Sequence, residues 1–537
     1  MILNQIFAEQ QIGFPVLSAL IFFPVLVAIV LTLVNDEETQ RKITFFGLLV
    51  ELMMAVSMLT KFVPGIADMQ FVEHSPWMAG IGSSYHLGVD GISVLFLPLT
   101  AFISLLVLLF TWNSVKFFSR FHLVSLLLLE AATMGIFSSI DLILFFVFWE
   151  MALIPSFFLI KFWGVGAQRQ YAGMKYVVYM LFGSAPLLIG IILLAWNYAN
   201  VAAVTPGMAP YSFDLLTLLA TPVPVVLQTT IFFLMAIGFA VKGPMFPFHT
   251  WMPSTIMEGP VGLGVLLVGL KLGVYGMIRF VIPLLPEASK QWLWLMVALG
   301  LLALIYGALI ALVQPNFRRL LAFASVSHVG LAMVGMFSLN VNGIQGGIMA
   351  LVNMGLTATG LMFIAGFLHT RLGSTELSAM GGLTRHVPQL AAFCFIIGLA
   401  SIGMPGTSGF TGEFLVMLGA FKADWRYATV AVVGVVLSAG YFLWYYERSF
   451  FGPVTSKIVP KLKDLAPREF VIAASLVAVI LGVGFNPAPV LNISSGSVKA
   501  LVARVNQGSQ GAAQGANKAA EPAQQAVGKE KIAALAK

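Results

Sequence analysis

Apolar runs long enough to cross a bilayer recur along the chain, each separated from the next by a short polar stretch. Taking about 17–25 apolar residues as the length of a spanning helix, fourteen spans are predicted, near 15–35, 44–62, 92–112, 121–138, 140–163, 173–197, 226–248, 259–284, 291–313, 319–338, 344–368, 388–420, 427–448 and 468–486. The pattern predicts an all-α polytopic membrane protein. Alternate loops separate by charge. One set holds Arg41, Lys42, Lys116, Arg120, Arg169, Lys175, Arg318, Arg319, Arg371, Arg385, Lys457, Lys461 and Lys463, and the other little beyond Lys61, Lys290, Lys422 and Arg426. Because Lys and Arg are retained on the cytoplasmic side, the first set is expected to face the cytoplasm, or the stroma of a thylakoid, with both termini opposite.

Two spans are punctuated. The seventh reads FAVKGPMFPFHTWMP, with Gly243, Pro244 and Pro247 after Lys242. The twelfth reads GLASIGMPGTSGFTGEFLVMLGAF, with Pro405, Gly406 and Gly409 before Glu413. Proline removes a backbone donor and clashes with the preceding turn, so each helix is expected to break beside its charge; a tolerated kink is the plain alternative for either proline alone. The breaks lie five spans apart, and an odd offset makes matching helices antiparallel, as in inverted-topology repeats. The expected units are residues 1–120 (three spans), 121–284 (first five-helix repeat), 291–448 (second repeat), 449–490 (a loop and the last span) and 491–537, a polar, largely disordered tail.

Four charges lie deep in these apolar runs: Glu150, Lys242, Lys271 and Glu413. A charge near the bilayer centre costs roughly 2.5–3.5 kcal/mol on insertion scales, and such residues commonly mark an ion or proton route. Glu150, in LILFFVFWEMALIPSFFLI, is either a structural carboxylate met by a hydroxyl or the partner of Lys242 in a switch, where moving the acid away would let desolvation release the lysine's proton. Lys271 is mid-span and too deep to snorkel, so it is expected to face a polar interior. His328, accompanied by Ser325 and Ser327, is either a hydrogen-bonded core histidine or a relay suited to titration near neutrality. Glu413 is either a terminal proton donor or acceptor, or a cap on the broken helix. Glu130 is also mid-span, but nothing around it separates a relay from a structural role. Asp90 and Asp141 stand at span starts, where a carboxylate complements the helix dipole.

Composition narrows the chemistry. The 537 residues are 59% hydrophobic and 9% charged, against about 25% charged in an ordinary soluble domain. The single cysteine, Cys394, allows neither an internal disulfide nor an iron–sulfur cluster held by this chain alone. The histidines lack close metal-ligand spacing, and neither a nucleotide loop nor a nucleic-acid signature is present. Met1 to Gly13 is mixed in character, so a cleavable leader is not expected.

The segments FFVFWEMALIPSFFLIKFWG, VKGPMFPFHTWMP, SVSHVGLAMVG and MPGTSGFTGEF resemble, in order and spacing, the antiporter-like proton-pumping subunits of respiratory complex I and its photosynthetic relatives, most closely the subunit 4 type. The resemblance covers roughly residues 15–490. It implies fourteen helices, two inverted five-helix bundles and a hydrated central axis. Glu150 and Lys242 then match the switch pair, Lys271 the central lysine, His328 the relay histidine and Glu413 the terminal glutamate. Two departures stand out. Ser254, Thr255 and Ile256 replace a common Asp-Ala-His stretch, and Asn353 occupies a frequent position of a second relay histidine. Asparagine can orient water but cannot titrate.

What the resemblance implies is a proton-translocating subunit of an NAD(P)H- or ferredoxin-driven quinone or plastoquinone oxidoreductase, partnered by the other membrane subunits and surrounded by lipid. No cofactor is expected in this chain; quinone and iron–sulfur clusters would belong to partner subunits. The ending LAPREFVIAASLVAVILGVGFNPAPVL is similar to the cyanobacterial and plastid branch, and WMPSTIMEGP to its carbon dioxide-uptake form, which points to a thylakoid membrane, with a bacterial inner membrane as the other location. The competing readings are a subunit of a multisubunit sodium/proton antiporter and a non-pumping membrane scaffold.

Overall fold

The computed structural model describes residues 4–203, 209–454 and 456–507. The helices that matter here are α1 (Val16–Leu33), α2 (Glu37–Lys61), α3 (Phe96–Thr111), α4 (Ser119–Ser138), α5 (Leu142–Met151), α6 (Leu153–Trp163), α7 (Arg169–Ala202), α8 (Val225–Lys242) and α9 (Trp251–Glu258). They continue with α10 (Val261–Gly269), α11 (Leu272–Gly276), α12 (Leu293–Leu312), α13 (Phe317–Phe337), α14 (Val341–Leu372), α15 (Pro388–Ser401), α16 (Ser408–Ala423), α17 (Trp425–Tyr446) and α18 (Pro467–Phe485). Among the described residues, twelve stretches are long and apolar enough to cross a membrane, and the shorter apolar helices α3 and α15 stand where the third and twelfth spans are predicted.

Outer helices are apolar all round because one face meets lipid and the other protein. Phe22, Leu26 and Ile29 on α1 and Val432, Val433 and Val436 on α17 are accordingly exposed. The core lies elsewhere. In the most apolar windows of α13 and α14, 94% of residues are buried, against 44% in α1 and 28% in α18. The enclosed helices are thus those carrying His328 and Asn353. Small residues let the inner helices approach: at the crossing of α12 and α13, Gly300 and Gly330 each face the other's carbonyl oxygen with no room for a Cβ.

Loop pairing supports the alternation read from charge. On one face Ile140 N donates to His86 O, and Leu142 N to Phe213 O. On the other, Gly166 N donates to Glu258 O, and Phe317 N to Thr375 O. The first face also carries a small sheet that the apolar pattern did not announce. Its strand β1 (Gln5–Phe7) runs parallel to β2 (Met69–Met78), which pairs antiparallel with β3 (Ser83–Val89).

Both predicted helix breaks are present. The chain leaves helix after Lys242, between α8 and α9, and again from Ile402 to Thr407, between α15 and α16. Two further interruptions appear. The fifth span steps at Ala152, and the eighth opens at Leu270 and Lys271, whose ψ values of 107° and 66° are not helical. No proline marks the latter. It is held by packing: Gly273, just past the opening, lies so close to Phe239 O and Gly243 N that a Cβ would overlap them. The openings of the seventh and eighth spans therefore sit against each other.

Residues 488–507 form a helix, although the polar tail was expected from 491 onward. Val498, Leu501 and Val505 make a buried stripe at helical spacing, and Arg504 donates to Pro283 O and Leu219 O at 2.6 Å each. Tail composition becomes polar only beyond this stripe. The remainder of the predicted tail, 508–537, lies outside the described residues.

Candidate functional site

Lys242 is the last residue of α8, and its Nζ donates to Trp149 O at 2.7 Å and lies 3.9 Å from the Trp149 ring centre. A cation there meets the free carbonyls and negative end of the helix dipole as well as an aromatic face. Glu150 is the next residue along α5 and acts on Lys242 electrostatically, yet the two do not form an ion pair within 4 Å. The structure brings the expected switch pair to adjoining positions with the lysine resting on the backbone before the glutamate.

Lys271 repeats the arrangement. It follows the end of α10 and donates to Leu267 O at 3.0 Å, again at a helix C-terminus, and is 4% exposed. Buried in the middle of the molecule, it interacts electrostatically with His328 on α13. His328 Nε2 lies 3.2 Å from the Tyr441 hydroxyl on α17, and Tyr441 in turn interacts with Glu413. Apolar surroundings and enclosed helices make these interactions strong at distances that water would screen.

Glu413 lies in the second turn of α16, near the positive helix end, and packs against Gly403 in the break. The Thr407 side chain at the helix start makes no capping hydrogen bond. Gly403 has a φ of 71°, a left-handed conformation that favours glycine, and a Cβ there would overlap the Glu413 carboxyl group. Asn353 is placed at the same break. Its Oδ1 accepts from Ser408 Oγ at 2.7 Å, fixing the first residue of α16 against α14. A small cavity between His328 and Asn353 is lined also by Ser325, Thr357, Ser401 and Tyr441. Ser325 Oγ has no partner there, so the lining suits an ordered water.

The residues singled out in the sequence are therefore strung in order: Glu150 and Lys242 at one break, Lys271 at an unannounced break packed on it, His328 beyond, and Asn353 and Glu413 at the last. Tyr441 completes the string and escaped sequence reading. Its one signal is a hydroxyl inside an apolar run, shared by every membrane tyrosine. Asp141 caps α5 through Ile143 N and Leu144 N, as its position suggests. Asp90 does more than complement a dipole, forming a buried ion pair with Arg279 at 2.9 Å. The replaced Asp-Ala-His stretch lies in α9, whose end is tied down: Arg318 donates to Ile256 O and Gly259 O, and Glu258 accepts from Gln168 N.

Residues 139–438, which contain every member of the string except Tyr441, match the family model described as NADH:quinone oxidoreductase/Mrp antiporter, TM. The chain belongs to that family. NADH-quinone oxidoreductase subunit M of Rickettsia typhi is 34% identical over 91% of this chain and 99% of its own length. The protein of the same name from Rhodobacter capsulatus is 34% identical over 90% of this chain and 96% of its own. A chain of respiratory complex I from Thermus thermophilus superposes with a TM-score of 0.80 at 32% identity, covering 90% of this chain and 99% of that one. A chain of the Mrp complex from Dietzia, at 21% identity and a TM-score of 0.75, shares the fold.

Proposed function

We propose that this family member carries protons across the membrane as a subunit of an NADH-quinone oxidoreductase, through Glu150, Lys242, Lys271, His328, Tyr441 and Glu413, with Asn353 holding the last break. Quinone reduction and the iron–sulfur centres would belong to companion chains, and the other antiporter-like subunits would be its membrane neighbours. The observation that carries the reading is the run of ionisable groups through the interior, in which Lys242, Lys271 and Glu413 each stand at or beside a helix interruption and His328 lies in an enclosed helix beyond them. Such interruptions place polar backbone at membrane depth, which is tolerated where it is buried in protein or lines a cavity, and in transporters broken helices build the ion site.

The string works by local electrostatics. Lys242 and Lys271 each rest on carbonyls at a helix end, so each can hold a proton without a carboxylate in contact. Motion of the Glu150 charge toward or away from Lys242 changes how firmly that proton is held. His328, Tyr441 and a water in the adjoining cavity bridge toward Glu413, compensating for the asparagine at 353.

We infer a bacterial inner membrane as the location, supported by the Rickettsia and Rhodobacter relatives. The plastoquinone-linked and carbon dioxide-uptake assignments have support only in the sequence ending and in WMPSTIMEGP. The sodium/proton antiporter reading shares the fold alone. Mass spectrometry of the intact complex discriminates: NADH-oxidising and quinone-binding companions are expected, whereas a complex of antiporter chains alone, with sodium-dependent exchange, would overturn the assignment.

A further inference from the structure

Away from the string, Glu51 on α2 and Glu130 on α4 face each other inside the protein at 0% and 2% exposure. Glu51 lies within the second predicted span and drew no notice in the sequence. Their carboxyl groups are within hydrogen-bonding reach of one another, and Ser104 on α3, also fully buried, stands beside Glu130. None of the four carboxyl oxygens, nor Ser104 Oγ, has a hydrogen-bond partner. Among the described residues, no lysine, arginine or histidine forms an ion pair with either acid.

Two facing carboxylates in an apolar interior cannot both stay ionised, because desolvation and like-charge repulsion oppose the second charge. A proton between them turns two acceptors into a donor and an acceptor. We propose that Glu51 and Glu130 form a buried proton-binding site that holds a proton between their carboxyl groups.

The position gives the site a use. Gly135 on α4 packs on the ring of Phe148 on the antiparallel α5. Counting from that contact at about 1.5 Å per residue, Glu130 and Glu150 lie within roughly one helical turn of each other in depth. The pair therefore lies at the depth of Glu150, placed to serve that end of the string as a proton reservoir. This use rests on the proton-path reading; occupancy of the site does not.

The assembled complex is studied by infrared spectroscopy in membranes at neutral pH, comparing wild type with the double variant Glu51→Gln, Glu130→Gln. Loss of a carboxylic-acid carbonyl band in the double variant is expected. An unchanged acid-carbonyl region means that the pair holds no proton, as it would with a bound cation instead, and overturns the proposal. If the double variant fails to assemble, Glu130→Gln alone, which leaves one acid beside an amide donor, is expected to lower or shift the same band; no change refutes the site. For the reservoir role, Glu130→Gln should reduce NADH-driven proton pumping by half or more, and undiminished pumping overturns that role. Unaltered pumping in Lys271→Ala would instead sink the central path while leaving the infrared result standing.

Discussion

The two punctuated helices solve one problem with opposite charges. In the first half the chain ends a helix at Lys242, placing a cation among free carbonyls. In the second half it begins a helix at Ser408 and sets Glu413 in the second turn, near free amides. The side of the break on which the charge falls thus follows the helix dipole. The supports differ too. The first break is backed by a second opening at Lys271, joined to it through Gly273, whereas the second is backed by an amide, Asn353, bonded to Ser408. Both lysines of the string stand at the openings joined by Gly273, whereas His328 and Tyr441 lie between Lys271 and Glu413.

The sharpest way to break this comparison is to neutralise one acid in each half. Glu150→Gln and Glu413→Gln should each lower proton transport by about 100-fold, the scale of a lost acid–base step, with the complex still assembled. Acidification of inverted membrane vesicles on NADH addition measures it. Equal loss supports one continuous route, and a loss confined to one half splits the molecule in two. Next come the glycines. Gly273→Ala forces apart the openings of the seventh and eighth spans at a cost of about 1–3 kcal/mol. Gly403→Ala adds a Cβ in a left-handed conformation, costing about 1–2 kcal/mol, and pushes on Glu413. Thermal unfolding of the complex should show both, and pumping should fall in both.

Smaller effects sharpen the second half. Tyr441→Phe removes one hydrogen bond, worth about 1 kcal/mol, and so should barely change stability while slowing proton transfer severalfold. Unchanged transfer would make Tyr441 a packing residue. Asn353→Ala frees Ser408 and should cost about 1 kcal/mol, detected as a lower unfolding midpoint; Asn353→Ser, which keeps a hydroxyl partner, should recover part of it.

Spans were legible because lipid imposes length and apolarity on every crossing segment, and the prolines at 244, 247 and 405 announced two breaks by chemistry alone. The opening at Lys271 was not legible. It depends on Gly273 meeting the backbone of Phe239 and Gly243, a contact between segments some thirty residues apart that no local pattern encodes. Of the buried charges, those beside breaks stood out. Glu51 did not, since one acid in a long apolar helix gains meaning only from the acid opposite, and pairing across helices is a property of packing. The helix over 488–507 was hidden for a related reason: its short apolar stripe adjoins a polar tail whose composition dominated the reading.

The central claim is that one continuous string of groups carries protons, and Lys271 is its midpoint. NADH-driven proton pumping by the assembled Lys271→Ala complex, reconstituted in vesicles, tests it most directly. Pumping through this chain should be lost while the complex retains its full set of subunits. Assembled complexes that pump as well as the wild type would contradict the account.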